Sequence, residues 1–197
     1  MNILIIAAAR SGGRYLMESL AKTYNLNTWH EPSINILNLK QKFPNIVIKV
    51  LFSHDTTSQI PLSNCLELGS KFDHIIILNR KLTTEFLESK YTLRYITKNI
   101  YVKYNYEVSL KKHIDTFETK EDYEKHHESE LNRLTNHKKI MDKRLHEIAS
   151  LFNQKVVIYD ELYYNPNKID YLNGLEFNPD LNYKLRTDDI NKNKTLI

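Results

Sequence analysis

Four short runs of this chain, NILIIA (residues 2–7), NIVIKVL (45–51), HIIILN (74–79) and KVVIYD (155–160), are apolar at consecutive positions and rich in Ile and Val. A strand with one wet face alternates apolar and polar residues, so near-continuous apolarity predicts parallel strands covered on both faces. The stretches between them have helical spacing. Leu16, Leu20 and Tyr24 fall on one stripe, Ser33 stands where an N-cap would open INILNLKQKF, and Pro61 opens LSNCLELGSKF with Gly69 near its end. Strands alternating with helices predict an α/β fold, a three-layer sandwich with a central parallel sheet.

With 197 residues and no break in composition, a single domain over 1–197 is expected. Hydrophobic residues make up 41% and charged residues 26%, which excludes the disordered and membrane classes. The apolar run 3–9 is too short for a secretory segment and lacks a basic flank, and no run of ~18 apolar residues occurs elsewhere. The single cysteine, Cys65, excludes a disulfide framework and a Cys-rich zinc site and reads as core filler. Together these features predict a cytoplasmic protein without an anchor. A net charge of +4 is too small to identify a nucleic-acid binder, yet it suits a small polyanionic ligand.

The longest helical pattern runs over 119–152, with Leu131, Leu134, Met141, Leu145, Ile148 and Phe152 on one stripe. Thr119 followed by Asp122 resembles a capping box with Asp in place of Glu. Its His126, His127, His137 and His146 lack the H-E-x-x-H spacing and have no cysteine to assist, so they read as incidental to a solvated helix face and no metal is expected. Residues 91–118 open with tyrosines interleaved with lysines, YTLRYITKNIYVKYNYEVSL. A lid or acceptor-site segment packing its aromatics is expected there, with a base-stacking surface as the alternative.

The chemistry concentrates in AAARSGGRYLMESL, where a strand runs into a turn that holds two of the chain's 4 glycines and then into a helix. It is not a Walker A loop, because G-x-x-x-x-G-K-[ST] requires a lysine that is missing here. Backbone N–H groups of a glycine turn at a helix N-terminus nevertheless make an anion site, to which Arg10, Ser11 and Arg14 would add charge-assisted donors. Ligands of parallel α/β sheets sit beyond the carboxyl ends of the strands, and Arg80 stands at such an end in HIIILNR. Two separate anion positions suggest a nucleotide carrying phosphate at both ends.

These residues resemble the sulfotransferases that use 3'-phosphoadenosine 5'-phosphosulfate. AARSGGRYL is similar to their 5'-phosphosulfate loop, P-[RK]-S-G-T-T-x-L: Arg10 matches the basic residue and Ser11 and Gly12 the Ser-Gly. Gly13 and Arg14 stand where the Thr pair would be, Tyr15 falls on the variable position, and Ala9 replaces the proline. HIIILNRKLTTEFLESKY resembles the strand-then-helix element that grips the 3'-phosphate, with Arg80 and Ser89 on the Arg and Ser positions. VVIYDELYYNP resembles Y-E-D-L-x-x-x-P with Asp160 and Glu161 exchanged in order. YKLRTDDIN is similar to the R-x-A-D-x-[IL]-N ending of some bacterial carbohydrate sulfotransferases, which adds Arg186 to the nucleotide-binding set.

The resemblance implies a P-loop-like arrangement and transfer of a sulfuryl group to a hydroxyl, a sugar hydroxyl or an amine being alternatives for the acceptor. Such transfer needs in-line geometry, positioned cations and a base. Arg10 is the first cation and Lys49, at the place of the family's strand lysine, the second. Glu31 in WHEPS is the leading base, since Pro32 holds it extended, and His54 in SHD is the rival. Tyr159 and Asp160 are expected to support sheet and loop. Two other readings stay open: a small-molecule or nucleotide kinase with a degenerate P-loop, using ATP and magnesium, and a non-catalytic nucleotide- or nucleic-acid-binding module.

Overall fold

The structure, a computed structural model, describes residues 1–8, 11–30, 45–52, 69–96, 106–164, 172 and 174–177. The elements are β1 (Asn2–Ala8), α1 (Gly13–Tyr24), β2 (Asn27–His30), β3 (Ile46–Phe52), β4 (His74–Asn79), α2 (Thr84–Tyr91), α3 (Tyr106–Ile114), α4 (Lys120–Leu151), β5 (Val156–Ile158) and α5 (Tyr159–Tyr164). A π-helical turn, Thr92–Ile96, continues α2. The helices expected after Ser33 and Pro61 lie outside the described residues.

The strands form one parallel sheet in the order β2-β3-β1-β4-β5. All four apolar runs are strands of it, and β1, the central one, is buried along its whole length. Its Ile3, Ile5 and Ala7 pack on Leu16, Met17 and Leu20 of α1, whereas Leu4, Ile6 and Ala8 pack on Met141, Leu145 and Ile148 of α4. The consecutive apolarity therefore reflects helices on both faces. The fifth strand, β2, was not expected: NTWH has no apolar run, is exposed, and is a strand through its pairing with β3 at the sheet edge. No helix among the described residues is long and apolar enough to cross a membrane.

Helix α4 begins where the capping pattern places it. Thr119 Oγ1 accepts the Asp122 N–H at 3.1 Å and donates to Asp122 Oδ2 at 2.6 Å, which gives an otherwise orphaned backbone donor a partner. The expected stripe follows, with Leu134, Met141, Leu145 and Ile148 buried.

His126 and His127 depart from expectation. Both are half-buried and belong to a ring cluster that ties α2, the π-helical turn, α3 and α4 together. Tyr91 meets His127 at 4.5 Å between centroids, Tyr95 meets His126 at 5.2 Å, and His113 meets Phe117 at 5.4 Å. Tyr91 and His113 also share a hydrogen bond of 2.8 Å, and His127 Nε2 lies 3.2 Å from Glu88 Oε2. The periodicity of α4 alone hides this, because the partners come from three other elements. His146 is exposed, as a solvated face requires.

Burial, with the nearby Tyr123, Tyr95, Glu88 and Glu130, pushes the Tyr91 phenol well above the usual tyrosine range. A folded-state pKa raised above the unfolded one contributes stability that is complete below the unfolded value and is lost as pH climbs past it. Denaturant titrations between about pH 9 and pH 11 should show stability falling, and Tyr91→Phe should flatten that fall. At neutral pH the same variant loses about 1 kcal/mol with the His113 hydrogen bond. An alkaline slope identical in both proteins would remove Tyr91 as its source.

Candidate anion-binding site

The carboxyl ends of β1, β3 and β4 lie side by side, and the order places β1 between a strand that follows β2 and one that crosses to the other side. Crevices at such a reversal are where open parallel sheets take ligands. Helix α1 starts hard against the sheet, which calls for a glycine at its first residue. A Cβ on Gly13 would lie 2.9 Å from the Cβ of Ala7 and 3.0 Å from Cε of Lys49.

The turn itself is held by Ser11, which is fully buried. Its N–H donates to the Ala8 carbonyl at 3.2 Å and its hydroxyl to the same carbonyl at 2.5 Å. The Ser11 hydroxyl thus closes the turn. Gly12 adopts the left-handed conformation, φ 74°, ψ 13°, and caps α1 without a side chain. The first bond inside the helix is Leu16 N–H to Gly12 O at 3.1 Å, so the N–H groups of Gly13, Arg14 and Tyr15 precede the intrahelical ladder at the positive end of the helix dipole.

Gly12 is required twice over. Its φ disfavours any residue with a Cβ, and that Cβ would stand 2.0 Å from Cε2 of Tyr159. Gly12→Ala is expected to cost about 2 kcal/mol, from backbone strain together with displacement of the ring. In Gly12→Ala/Tyr159→Ala the clash term disappears and the strain remains, so thermal denaturation of the double variant should reveal a favourable coupling. Strict additivity would mean that the ring does not touch the turn.

The side chains of Arg14 and Tyr15 leave the turn in different directions. Arg14 Nε donates to Glu18 Oε1 at 2.7 Å, and its side chain is 63% exposed, so its guanidinium runs along the outer face of α1. The Tyr15 ring is buried in the α1-side core, edge-on to Phe177 at 6.5 Å, so only its backbone serves the turn. Helical phase explains both: one residue of rotation separates solvent from sheet.

Lys49 supplies a cation where the turn needs one. It lies on the α1 side of β3, 5% exposed, with its stem beneath Gly13. Its Nζ is 3.5 Å from Nε2 of His30, which is also its register partner on β2. The pairing of His30 with Lys49 depends on sheet register, which the local sequence does not display.

Arg80 follows β4. Its N–H donates to Asn79 Oδ1 at 2.9 Å, its guanidinium lies 5.3 Å from the centre of the Tyr159 ring, and its Nε is 3.8 Å from Asp160 Oδ1. Asp160 Oδ2 also accepts the Lys81 N–H at 3.2 Å, and Lys81 Nζ is 3.3 Å from Glu161. Tyr159 thus touches Gly12 with one part of its ring and underlies Arg80 with another, and Asp160 tethers the residues after β4. Both act as supports of the loop. Ser89 is half-buried on α2, and the Arg80 side chain turns to Tyr159 and Asp160 rather than to it. Arg10, Glu31, His54 and Arg186 lie outside the described residues.

Neighbouring Glu85, in the first turn of α2, is held below the usual carboxylate range by its backbone hydrogen bond, by the Thr83 hydroxyl and by the charge of Arg80. What the described residues bring together is a glycine turn at a helix N-terminus, a buried lysine beneath it and an arginine one aromatic ring away. That arrangement can hold two anionic groups at once. Among the described residues no three His, Cys, Asp or Glu side chains gather as a metal site would require. Compared with family models, with curated proteins and with solved structures, the chain matches none.

Proposed function

We infer that the protein is a sulfotransferase that moves a sulfuryl group from 3'-phosphoadenosine 5'-phosphosulfate to an acceptor hydroxyl. The observation that carries this reading is the Tyr159 ring, which packs on Gly12 and lies under Arg80. It couples an anion-binding turn to a cation at the end of the neighbouring strand, as a nucleotide phosphorylated at both ends requires. The strand, turn and helix are P-loop-like in arrangement, and the resemblance of the ARSGGR, NR-to-Ser89 and YDEL elements to the sulfotransferases supplies the identity of the nucleotide.

In this reading the N–H groups of Gly13, Arg14 and Tyr15, with Lys49 and Arg10, neutralise the 5'-phosphosulfate, and Arg80 meets the 3'-phosphate. The acceptor oxygen bonds to sulfur as the bond from sulfur to the 5'-phosphate oxygen breaks, and a base takes the acceptor's proton. Glu31 is the proposed base, with His54 as rival. Lys49, which is buried, stabilises charge that develops on the leaving phosphate, and does so more strongly for being withdrawn from water.

Calorimetric titration separates this from the kinase reading. 3'-Phosphoadenosine 5'-phosphate should bind in the micromolar range without added metal, and more tightly than ATP with magnesium. Binding of ATP with magnesium and none of the bisphosphate would sink the proposal. A third outcome, affinity for oligonucleotides that falls steeply with salt, would favour the binding-module reading instead.

A further inference from the structure

Strand β4 ends on a residue that its surroundings do not call for. Alternation along HIIILN sends Ile75, Ile77 and Asn79 to the α4 side of the sheet, and Ile76 and Leu78 to the α1 side. Asn79 is 3% exposed there, and so is Lys138, which faces it from α4. An amide and an ammonium withdrawn from water carry a desolvation cost that apolar side chains in the same space would not. Stability alone does not account for them.

The bonds of the amide show what they accomplish. Asn79 Oδ1 accepts from Lys138 Nζ at 3.2 Å, and Nδ2 donates to Asp142 Oδ1 at 2.7 Å. Lys138 and Asp142 are themselves an ion pair one turn apart on α4. A cation faces the oxygen and an anion the nitrogen, so the amide has a single orientation; turned over, it would set donor against donor and acceptor against acceptor. In that orientation Oδ1 also accepts the Arg80 N–H at 2.9 Å. The next backbone donor, the Lys81 N–H, goes to Asp160 Oδ2 at 3.2 Å. Both peptide groups that leave β4 are therefore held by side chains. Pairing of Asn79 with Ile158 sets this exit beside Tyr159 and Asp160, where the Arg80 guanidinium lies.

We propose that Asn79 is a positioning residue of the anion site: the Lys138–Asp142 pair fixes its amide, the amide fixes the peptide of Arg80, and the guanidinium is held over Tyr159, placed to meet the 3'-phosphate. Asn79 touches no ligand and acts through Arg80. Its service to the 3'-phosphate rests on the nucleotide reading above, whereas its hold on Arg80 does not. The buried polar residues beneath α4 are kept for the place they give a cation over a ring that packs on the α1-side core.

Replacing the three polar side chains by apolar ones of similar size separates this role from a structural one. Asn79→Leu/Lys138→Met/Asp142→Leu leaves no charge stranded and should keep its Tm within about 5 °C of the unaltered protein. Its affinity for 3'-phosphoadenosine 5'-phosphate should nevertheless fall about fivefold or more, while that for 5'-AMP changes less than about twofold, because the ligand then has to order a mobile arginine. Added to Arg80→Ala, the same three changes should weaken the bisphosphate no further. In the ligand-free protein, amide hydrogen exchange at Arg80 should be slow, and about tenfold faster or more both in the triple variant and in Asn79→Ala.

An unchanged affinity for the bisphosphate, equal losses for the two nucleotides, or losses that add to those of Arg80→Ala would each overturn the proposal. So would an Arg80 amide that exchanges freely in the unaltered protein, a measurement that needs no variant to fold. An unaltered protein that binds the bisphosphate no better than 5'-AMP would instead remove the nucleotide reading, and the Arg80 exchange rates would then decide whether Asn79 holds its neighbour.

Discussion

Arg80→Ala is expected to weaken binding of 3'-phosphoadenosine 5'-phosphate roughly 10- to 100-fold while changing the affinity for 5'-AMP by less than about twofold. The guanidinium sits beyond β4, over Tyr159 and 3.8 Å from Asp160, and the side chain is 20% exposed. It is therefore ordered before a ligand arrives, and a phosphate gains charge-assisted hydrogen bonds without paying to fix a long side chain. In the proposed function only the bisphosphate has a group to meet it. Arg80→Lys should recover part of the loss, since a point charge replaces a planar fork stacked on a ring. Equal losses for the two nucleotides, read by calorimetry, would move the 3'-phosphate away from Arg80.

Asp142→Ala is expected to destabilise the fold by about 3 kcal/mol, visible as a fall in Tm of roughly 6–12 °C. Lys138 is buried and Asp142 is its carboxylate partner, so truncation strands a charge out of water. The Asp142 side chain is 32% exposed, which lets solvent relieve part of the cost and keeps the estimate at the low end for buried pairs. Asn79 adds to the effect. Its Nδ2 donates to Asp142 at 2.7 Å while its Oδ1 accepts from Lys138 and from the Arg80 N–H. Asp142→Asn keeps an oxygen acceptor in place and should cost about half as much. A Tm unchanged by Asp142→Ala would show that the network carries no net stability.

The two predictions meet at Asn79. It ends β4, takes part in the buried network on the α4 side, and fixes the backbone from which Arg80 departs. A polar residue at the end of an otherwise apolar run, HIIILN, thereby connects the interior to the crevice above it.

Much of the fold is legible in short windows of sequence. Strand runs of Ile and Val, the stripe from Leu134 to Ile148 and the Thr119 cap all arise from neighbours within a few positions, and each stands where its pattern places it. The candidate site was legible as residue types. Gly12 and Gly13 mark the turn, Lys49 a strand cation and Arg80 a strand-end cation. The orientation of side chains was less so: the Ser11 hydroxyl turns back onto Ala8, Arg14 pairs along the helix with Glu18, and Tyr15 enters the core.

What the sequence by itself determined is the alternation of buried strands and helices and the glycine turn after β1, because backbone periodicity and conformational freedom are local properties. What only the tertiary structure decided is which distant residues share a contact: β2 with β3, His30 with Lys49, Tyr159 with Gly12, and Lys138 with Asn79 and Asp142. Strand order and register bring these together across as many as ~147 positions of chain, and no local preference encodes a partner so far away.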